Sequence, residues 1–506
     1  MKILLINPPR TYYPGSKGIR IGLPLGLMYL AAVLEKNGYQ PKIFDCLIHP
    51  QTGITRKEYR LIHGLALDKI SEVIERETPQ LVGITNPFTA QIDNALEIID
   101  LVKRLDKRII TVVGGPHVSV VGQQLLKENR NIDIGVRGEG EYIFLEIVKS
   151  IENHLSLSSI KNIIYRDQLG EIKQTESGGY IEDLDALPYP AYHLIDMELY
   201  FRFLEKGLAT RPSGQKSSVS FITSRGCPYN CVFCSIHLHM GRKWRAHSAE
   251  YVINHIDYLV KKYGVKHISF EDDNFTLDMD RITKILQGII QRNLKITWDT
   301  PNGVRADRLD ENLARLMKKS GCQELIFGVE SGDQQVLNKI IKKNLNLEAV
   351  IKAVKICQKL KIKTQAFFVI GFPGEKINDM RKTMDFALSL RKKYGVKSGL
   401  LIATPLIGTE LYDICKKNGY LVKEPDARSL AVATQARGNG LIKTKDFAPN
   451  QLKDLAFELD KKMARIELID RIKNPATYFK TIKFLINHPL KSIKYFIKKI
   501  LPPASL

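Results

Sequence analysis

From Met1 to about Ser150, short apolar runs alternate with stretches whose apolar positions recur at helical spacing. Lys2–Ile6, Lys42–Asp45, Gln80–Thr85, Arg108–Val113 and Ile132–Val136 read as strands, and Leu25–Lys36 and Ala90–Leu105 as helices between them. Five such repeats with short links predict an α/β unit over residues 1–150, a doubly wound, flavodoxin-like parallel sheet. Sheets of this kind bind ligands beyond the carboxyl ends of their strands. The loops placed there are Asn7-Pro8-Pro9-Arg10, Asp45-Cys46-Leu47, Thr85-Asn86-Pro87, Val113-Gly114-Gly115-Pro116-His117 and Arg137-Gly138-Glu139-Gly140-Glu141. No G-x-G-x-x-G follows the first strand, which argues against a simple dinucleotide-binding domain.

The alternation lapses over residues 151–215, a connector. Asn162–Arg166 and Glu171–Thr175 flank Asp167-Gln168-Leu169-Gly170, a hairpin signal. The pattern resumes with Val219–Thr223, His267–Glu271, Lys295–Trp298, Glu324–Val329, Thr364–Ile370 and Ser398–Ile402, again with helical segments between. Six βα units predict a partial, barrel-like parallel sheet over residues 216–425, with active residues at the carboxyl ends of its strands. The remaining 426–506 read as helical. From Arg471 to Leu506 there are eight Lys and Arg residues and no Asp or Glu. Tyr478, Ile482 and Leu485, then Ile493, Phe496, Ile497 and Ile500, recur at helical spacing on either side of Pro489. A basic amphipathic tail of this kind suits an anionic membrane interface or a helical hairpin docked on the barrel.

Composition narrows the class. The chain has 506 residues, 44% of them hydrophobic and 26% charged, enough to bury several cores. No run of about 18 apolar residues is present to span a bilayer, and the apolar start is too short for a signal peptide. Seven cysteines without a disulfide-like spacing point to a reducing cytoplasm. The net charge of +22 favours anionic partners, although the lysines are spread along the whole chain.

Three of those cysteines, Cys227, Cys231 and Cys234, fall within eight residues at the end of the first barrel strand. Such a loop can hold iron–sulfur or zinc. Zinc requires a fourth ligand, which His237 would supply; a cubane cluster on three thiolates keeps one iron open for a substrate. The spacing leaves both open.

C-x-x-x-C-x-Φ-C, with Phe233 as the aromatic, resembles the signature of the radical S-adenosylmethionine (SAM) enzymes. The resemblance implies that the three cysteines bind a [4Fe–4S] cluster and that SAM chelates the fourth iron. It places Phe233 and the Gly371–Gly374 turn beside the adenine, Glu330 and Ser331 at the ribose or methionyl amine, Arg305 at the methionyl carboxylate, and Asp272 at SAM or substrate. The preceding α/β unit resembles the cobalamin-binding domain of cobalamin-dependent members, through Gly114, Gly115, His117, Gly138 and Glu139. The D-x-H-x-x-G of other cobalamin domains is missing, since Asp45 is followed two positions on by Leu47. A lower axial face without histidine is therefore expected, with His117 a loop residue rather than a cobalt ligand.

The resemblance implies a methyltransferase acting on an unactivated carbon, with one SAM supplying a deoxyadenosyl radical and another methylating cobalamin. A flavodoxin or ferredoxin would supply the electron. The substrate would be a small molecule, and a lipid or isoprenoid if the tail is interfacial, at the inner face of a membrane. The anaerobic magnesium-protoporphyrin monoester cyclases share this domain order and are the alternative chemistry. A zinc-containing nucleic-acid-binding protein is the alternative from another class.

Overall fold

The computed structural model describes residues 1–13, 21–57, 60–86, 88–205, 217–435 and 440–473. The first unit contains β1 (Ile3–Asn7), β2 (Arg10–Tyr12), α1 (Leu25–Lys36), β3 (Lys42–Asp45), β4 (Gly53–Lys57), β5 (Arg60–Gly64), α2 (Leu67–Glu77) and β6 (Leu81–Thr85). It continues with α3 (Ile92–Leu105), β7 (Ile110–Gly114), α4 (Pro116–Glu128), β8 (Ile134–Val136), α5 (Glu141–Glu152), β9 (Ile163–Arg166) and β10 (Ile172–Gln174). Strand β1 is buried on both faces: Ile3 and Leu5 join the core under α1 and α5, while Leu4 and Ile6 join the core under α2, α3 and α4. That double burial is why the strand reads as an unbroken apolar run.

The sheet order is β10-β9-β8-β7-β6-β1-β3, parallel from β8 to β3. The order reverses between β1 and β6, so their carboxyl ends form the crevice where such sheets bind ligands. The hairpin of the connector is the edge of this sheet, with β9 antiparallel to β8. A small antiparallel sheet, β2-β5-β4, was not foreseen. All five residues of β4 are exposed, so the strand carries no apolar alternation to read.

After α6 (Met197–Phe203) come β11 (Ser218–Phe221), β12 (Ser224–Arg225), β13 (Arg245–Ala246), α7 (Ala249–Tyr263), β14 (His267–Phe270), α8 (Met279–Gln291) and β15 (Thr297–Val304). They are followed by α9 (Glu311–Lys319), β16 (Cys322–Glu330), α10 (Leu347–Lys359), β17 (Lys363–Ile370), α11 (Ile377–Tyr394) and β18 (Lys397–Ile402). Six strands, β11-β14-β15-β16-β17-β18, are parallel and neighbour one another in chain order, the (β/α)6 arrangement expected. β15 runs past its expected end through Pro301-Asn302-Gly303, because register shifts against β16 absorb residues that read as a turn.

Three further helices follow: α12 (Glu410–Lys417), α13 (Ala427–Gln435) and α14 (Pro449–Lys473). Leu452, Leu455 and Leu459 of α14 extend the barrel core, and Arg391 of α11 donates to Asp470 at 2.7 Å. α13 returns to the first unit, where Ala431 packs with Tyr13 and Ala90. Among the described residues no helix is long and apolar enough to cross a membrane. The basic tail lies outside the described residues beyond Lys473.

Trp298 anchors the barrel floor: it is fully buried, donates to the Ser320 hydroxyl at 3.1 Å and packs edge-on against Phe270 and Phe275. Trp298→Ala is expected to cost about 3–5 kcal/mol of stability through cavity formation. Trp298→Phe should cost less than half of that, since Ser320 keeps its bond to the Met317 carbonyl. Urea midpoints of the two variants check the order.

Candidate active site

The cysteine loop leaves β11 and is closed at its base by the β12–β13 pair, Ser224 opposite Ala246 and Arg225 opposite Arg245. Gly226 has a φ of 80°, and a Cβ there would lie 2.5 Å from the Lys243 carbonyl oxygen and 3.0 Å from that of Met240. The residue before Cys227 is therefore a glycine for both conformation and space. Farther along, Cys234 N–H donates to the Cys231 carbonyl, Val232 N–H to that of Ile341, and Leu411 N–H to that of Val232.

The three thiols are half-buried and near enough to raise one another electrostatically. Burial first, and then Cys231 and Cys227, push Cys234 up to about 12; burial likewise raises Cys227 and Cys231. A bound metal would reverse that direction by making the thiolate the favoured form. The donor set, three soft sulfurs at one strand end, fits an iron–sulfur cluster. Among the described residues no three His, Cys, Asp or Glu side chains form a site for a single metal ion.

Beside the loop lies a buried ion pair. Lys343 donates to Glu330 at 2.9 Å, and both side chains are about a tenth exposed. Burial opposes the lysine's charge, yet Glu330 and then Cys231 raise its pKa above the ordinary value. Glu330 adopts a φ of 71°, a conformation costly for a residue with a Cβ and concentrated at functional sites. A buried ammonium and carboxylate at a sulfur loop match the carboxylate and amine of an amino acid. Lys343 was not foreseen; it lies outside every strand and motif, and only its burial identifies it.

The structure brings Phe233 against Phe372 of the Gly371–Gly374 turn, with ring centroids 5.8 Å apart. Gly371 and Phe372 N–H groups donate to Glu375, whose carboxyl is pushed up to about 8 by burial. This gives an aromatic wall on a fixed turn.

Other expected site residues are held by neighbours within the protein. Asp307 accepts the Arg305 fork at 3.0 and 2.8 Å, and the Lys343 and Asn344 carbonyls take further donors. Its guanidinium sits 4.0 Å from the Tyr229 ring and braces the cysteine loop. Asp272 is 1% exposed and accepts from Thr223 N–H and from the Thr223 and Ser224 hydroxyls, so it anchors the start of that loop. The Ser331 hydroxyl is fully buried against Thr383 of α11 and accepts from Asp333 N–H. Glu139 is consumed between the two units, accepting from Arg225, Arg245 and Ile181 N–H.

In the first unit, Gly115 has a φ of 121°, and a Cβ there would lie 2.4 Å from the Asn86 carbonyl oxygen. Gly114 meets nothing closer than 3.7 Å, so its identity is less constrained. His117 shares a hydrogen bond with Thr89 at 2.9 Å, and burial lowers its pKa to about 4, a neutral ring. Gly138 has a φ of 71° and donates to the Ser119 hydroxyl. At the crevice, both amide atoms of Asn86 and Asp45 Oδ2 are buried without a partner among the described residues, and the His63 ring is buried close to the Leu47 backbone. Such orphaned polar atoms fit a large polar ligand at the strand ends.

Comparison with known proteins agrees with this geometry. Residues 20–148 match the B12 binding domain and residues 221–387 the radical SAM superfamily. The chain is 33% identical over 422 residues to an uncharacterized methyltransferase of Pyrococcus horikoshii, covering 83% of this chain and 84% of that one. It belongs to the radical SAM superfamily, in the branch with a B12-binding domain. A cytidylyl-2-hydroxyethylphosphonate methyltransferase of Streptomyces wedmorensis is 31% identical over 453 residues, covering 84% and 83% of the two chains. An anaerobic magnesium-protoporphyrin IX monomethyl ester cyclase of Rubrivivax gelatinosus is 27% identical, covering 76% and 65%. In fold, the chain is similar to the cobalamin-dependent SAM radical enzyme OxsB solved with aqua-cobalamin and SAM, with a TM-score of 0.69 at 18% identity over 96% and 71% of the two chains. The radical SAM methyltransferase TsrM of Kitasatospora setae, with cobalamin and a [4Fe–4S] cluster, gives 0.64 at 19%, over 84% and 79%.

As a radical SAM enzyme with a B12-binding domain, the chain uses a [4Fe–4S] cluster, SAM and cobalamin. This replaces a mononuclear zinc site completed by His237 and the nucleic-acid-binding reading that went with it. Gly226→Ala is expected to reduce the iron bound after anaerobic reconstitution to roughly half or less, since the loop cannot close. Iron and sulfide analysis with an unchanged far-ultraviolet circular dichroism spectrum checks this.

Proposed function

We propose that this enzyme transfers a methyl group by way of cobalamin to an unactivated carbon of a small molecule. The observation that carries the reading is the meeting of two ligand edges: the strand-end loop of the first unit, through Glu139, touches the base of the cysteine loop, through Arg225, at 2.9 Å. A cobalamin at the first edge and a cluster with SAM at the second would then face a common space. When bound, the cluster and SAM supply a deoxyadenosyl radical that abstracts hydrogen, and cobalamin supplies the methyl group.

In this reading Cys227, Cys231 and Cys234 hold three irons. Lys343 and Glu330 take the methionyl carboxylate and amine of SAM, and Phe233 with the Gly371–Gly374 turn walls the adenine. Gly115, Gly138 and the buried groups of Asn86 and Asp45 receive the corrin and its tail. No histidine of the chain is assigned to cobalt.

Methyl transfer is preferred to cyclisation because two relatives of more than 30% identity are named as methyltransferases, whereas the Rubrivivax cyclase is 27% identical. The Streptomyces enzyme's name specifies a phosphonate substrate, and a charge of +22 suits an anionic one here. The tail from Arg471 onward is the sole feature favouring a lipid or isoprenoid substrate and contact with the inner face of a membrane. Flotation with anionic phosphatidylserine vesicles decides this: binding no stronger than that of a chain ending at Lys473 leaves a water-soluble substrate.

Reconstitution with iron, sulfide and hydroxocobalamin tests the main reading. Roughly four irons and one cobalt per chain are expected, with deoxyadenosine and S-adenosylhomocysteine both formed from SAM under reductant. Cys231→Ala should abolish deoxyadenosine. Iron and deoxyadenosine without cobalt or S-adenosylhomocysteine would overturn methyl transfer. Lys343→Met should keep its iron but bind SAM about 10- to 100-fold more weakly, as expected when a charge-assisted bond is lost; equilibrium dialysis measures it.

A further inference from the structure

Four charged side chains meet between the two units, none more than 7% exposed: Arg225, Arg245, Glu139 and Glu141. Arg225 donates to Glu139 at 2.9 Å and to Glu141 at 2.7 Å; Arg245 donates to the other oxygen of Glu139 at 2.7 Å. The connector completes the knot. Ile181 N–H donates to Glu139 at 2.7 Å, and Arg245 donates to the Ile181 and Met240 carbonyls at 2.6 and 2.8 Å. Tyr29 lies 5.4 Å from the Arg225 guanidinium and Tyr180 lies 5.0 Å from that of Arg245. Tyr180 also fills the space above Gly241, where a Cβ would come within 2.5 Å of its ring.

We propose that this knot is a positioning device, fixing the separation and angle of the two ligand edges so that the two units work as one rigid body. Its members stand where they can do this. Arg225 is two residues before Cys227, and Glu139 follows Gly138 at the carboxyl end of β8. Units within one chain ordinarily meet through polar, sliding interfaces. Here a slide would strand two arginines and two carboxylates away from water, a state that buried ion pairs resist strongly. The two positive and two negative charges cancel only in this one register. The mechanical part of the proposal stands on these contacts alone; the statement that it sets the cofactor separation rests on the function proposed above.

The test uses the full chain with Glu139→Gln and Arg225→Lys. Hydrogen exchange of the metal-free protein is read by mass spectrometry over residues 137–142, 178–183 and 224–246. Glu139→Gln is expected to speed exchange about a hundredfold in all three segments together, and Arg225→Lys, which keeps the charge, about tenfold. Peptides from α3 and α10 should not change. A response confined to one segment, or none, would overturn the coupling. Should Glu139→Gln fail to fold, Arg225→Lys carries the same comparison.

The second measurement takes the chain loaded with cluster and hydroxocobalamin and reduced, and reads the magnetic interaction between the cluster and cob(II)alamin by electron paramagnetic resonance. At equal metal content, the variants should show a weakened or broadened interaction. An interaction identical to that of the unaltered chain would overturn the positioning role. If the unaltered chain takes up no cobalt, the cofactor reading fails, and the exchange data alone decide whether the knot couples the units.

Discussion

Everything in the active region hangs on charges that have been taken out of water and paired across a boundary. Arg225 and Arg245 belong to the barrel unit, Glu139 and Glu141 to the first unit, and all four are buried. A pair of this kind adds little net stability over an apolar contact, yet breaking it costs about 3–5 kcal/mol because a lone buried charge is left behind. The interaction therefore specifies a register more than it strengthens a fold. Since Arg225 pairs with Arg245 in the β12–β13 ladder that closes the cysteine loop, the register of the units and the shape of that loop are one constraint.

The same economy of charge governs the loop itself. Its three thiols have raised pKa values through burial, and the neighbouring Asp273 is also raised, to about 6, by burial and then by Asp272. Two ion pairs stand beside the loop, Lys343 with Glu330 and Arg305 with Asp307. Lys343 stands beside Cys231 as a cation that would favour a negatively charged, cysteine-bound cluster held by the loop. Arg305 contributes by stacking on Tyr229 and tying the loop to the segment after β16, so its part is to hold the loop still.

The sequence made the layout legible wherever the local pattern and the global fold impose the same demand. Strands buried on both faces, such as Ile3–Asn7 and Leu81–Thr85, show as apolar runs because no face is left for polar residues. Spacing disclosed the cysteine trio for the same reason, three ligands being confined to one loop. The exposed β4 has no such demand, and the hairpin β9–β10 gave its turn but not its partner, since pairing with β8 is a long-range fact.

Within the site, side-chain direction is what the sequence withheld. Asp272, Ser331, Arg305 and Glu139 sit at strand ends, where ligands bind, yet each turns to a neighbour brought close only by folding: Thr223, Thr383, Asp307 and Arg225. Lys343 shows the converse, a residue with no motif that the fold carries to Cys231 and Glu330. Position on a barrel therefore says where chemistry can occur, while the hydrogen-bond ledger says which groups are still free to do it. Among the groups that ledger leaves for ligands are the thiols at the barrel edge and the unpartnered atoms of Asn86 and Asp45 at the edge of the first sheet. Neither sheet by itself presents both sets, so a reaction that draws on both needs the two edges held in register.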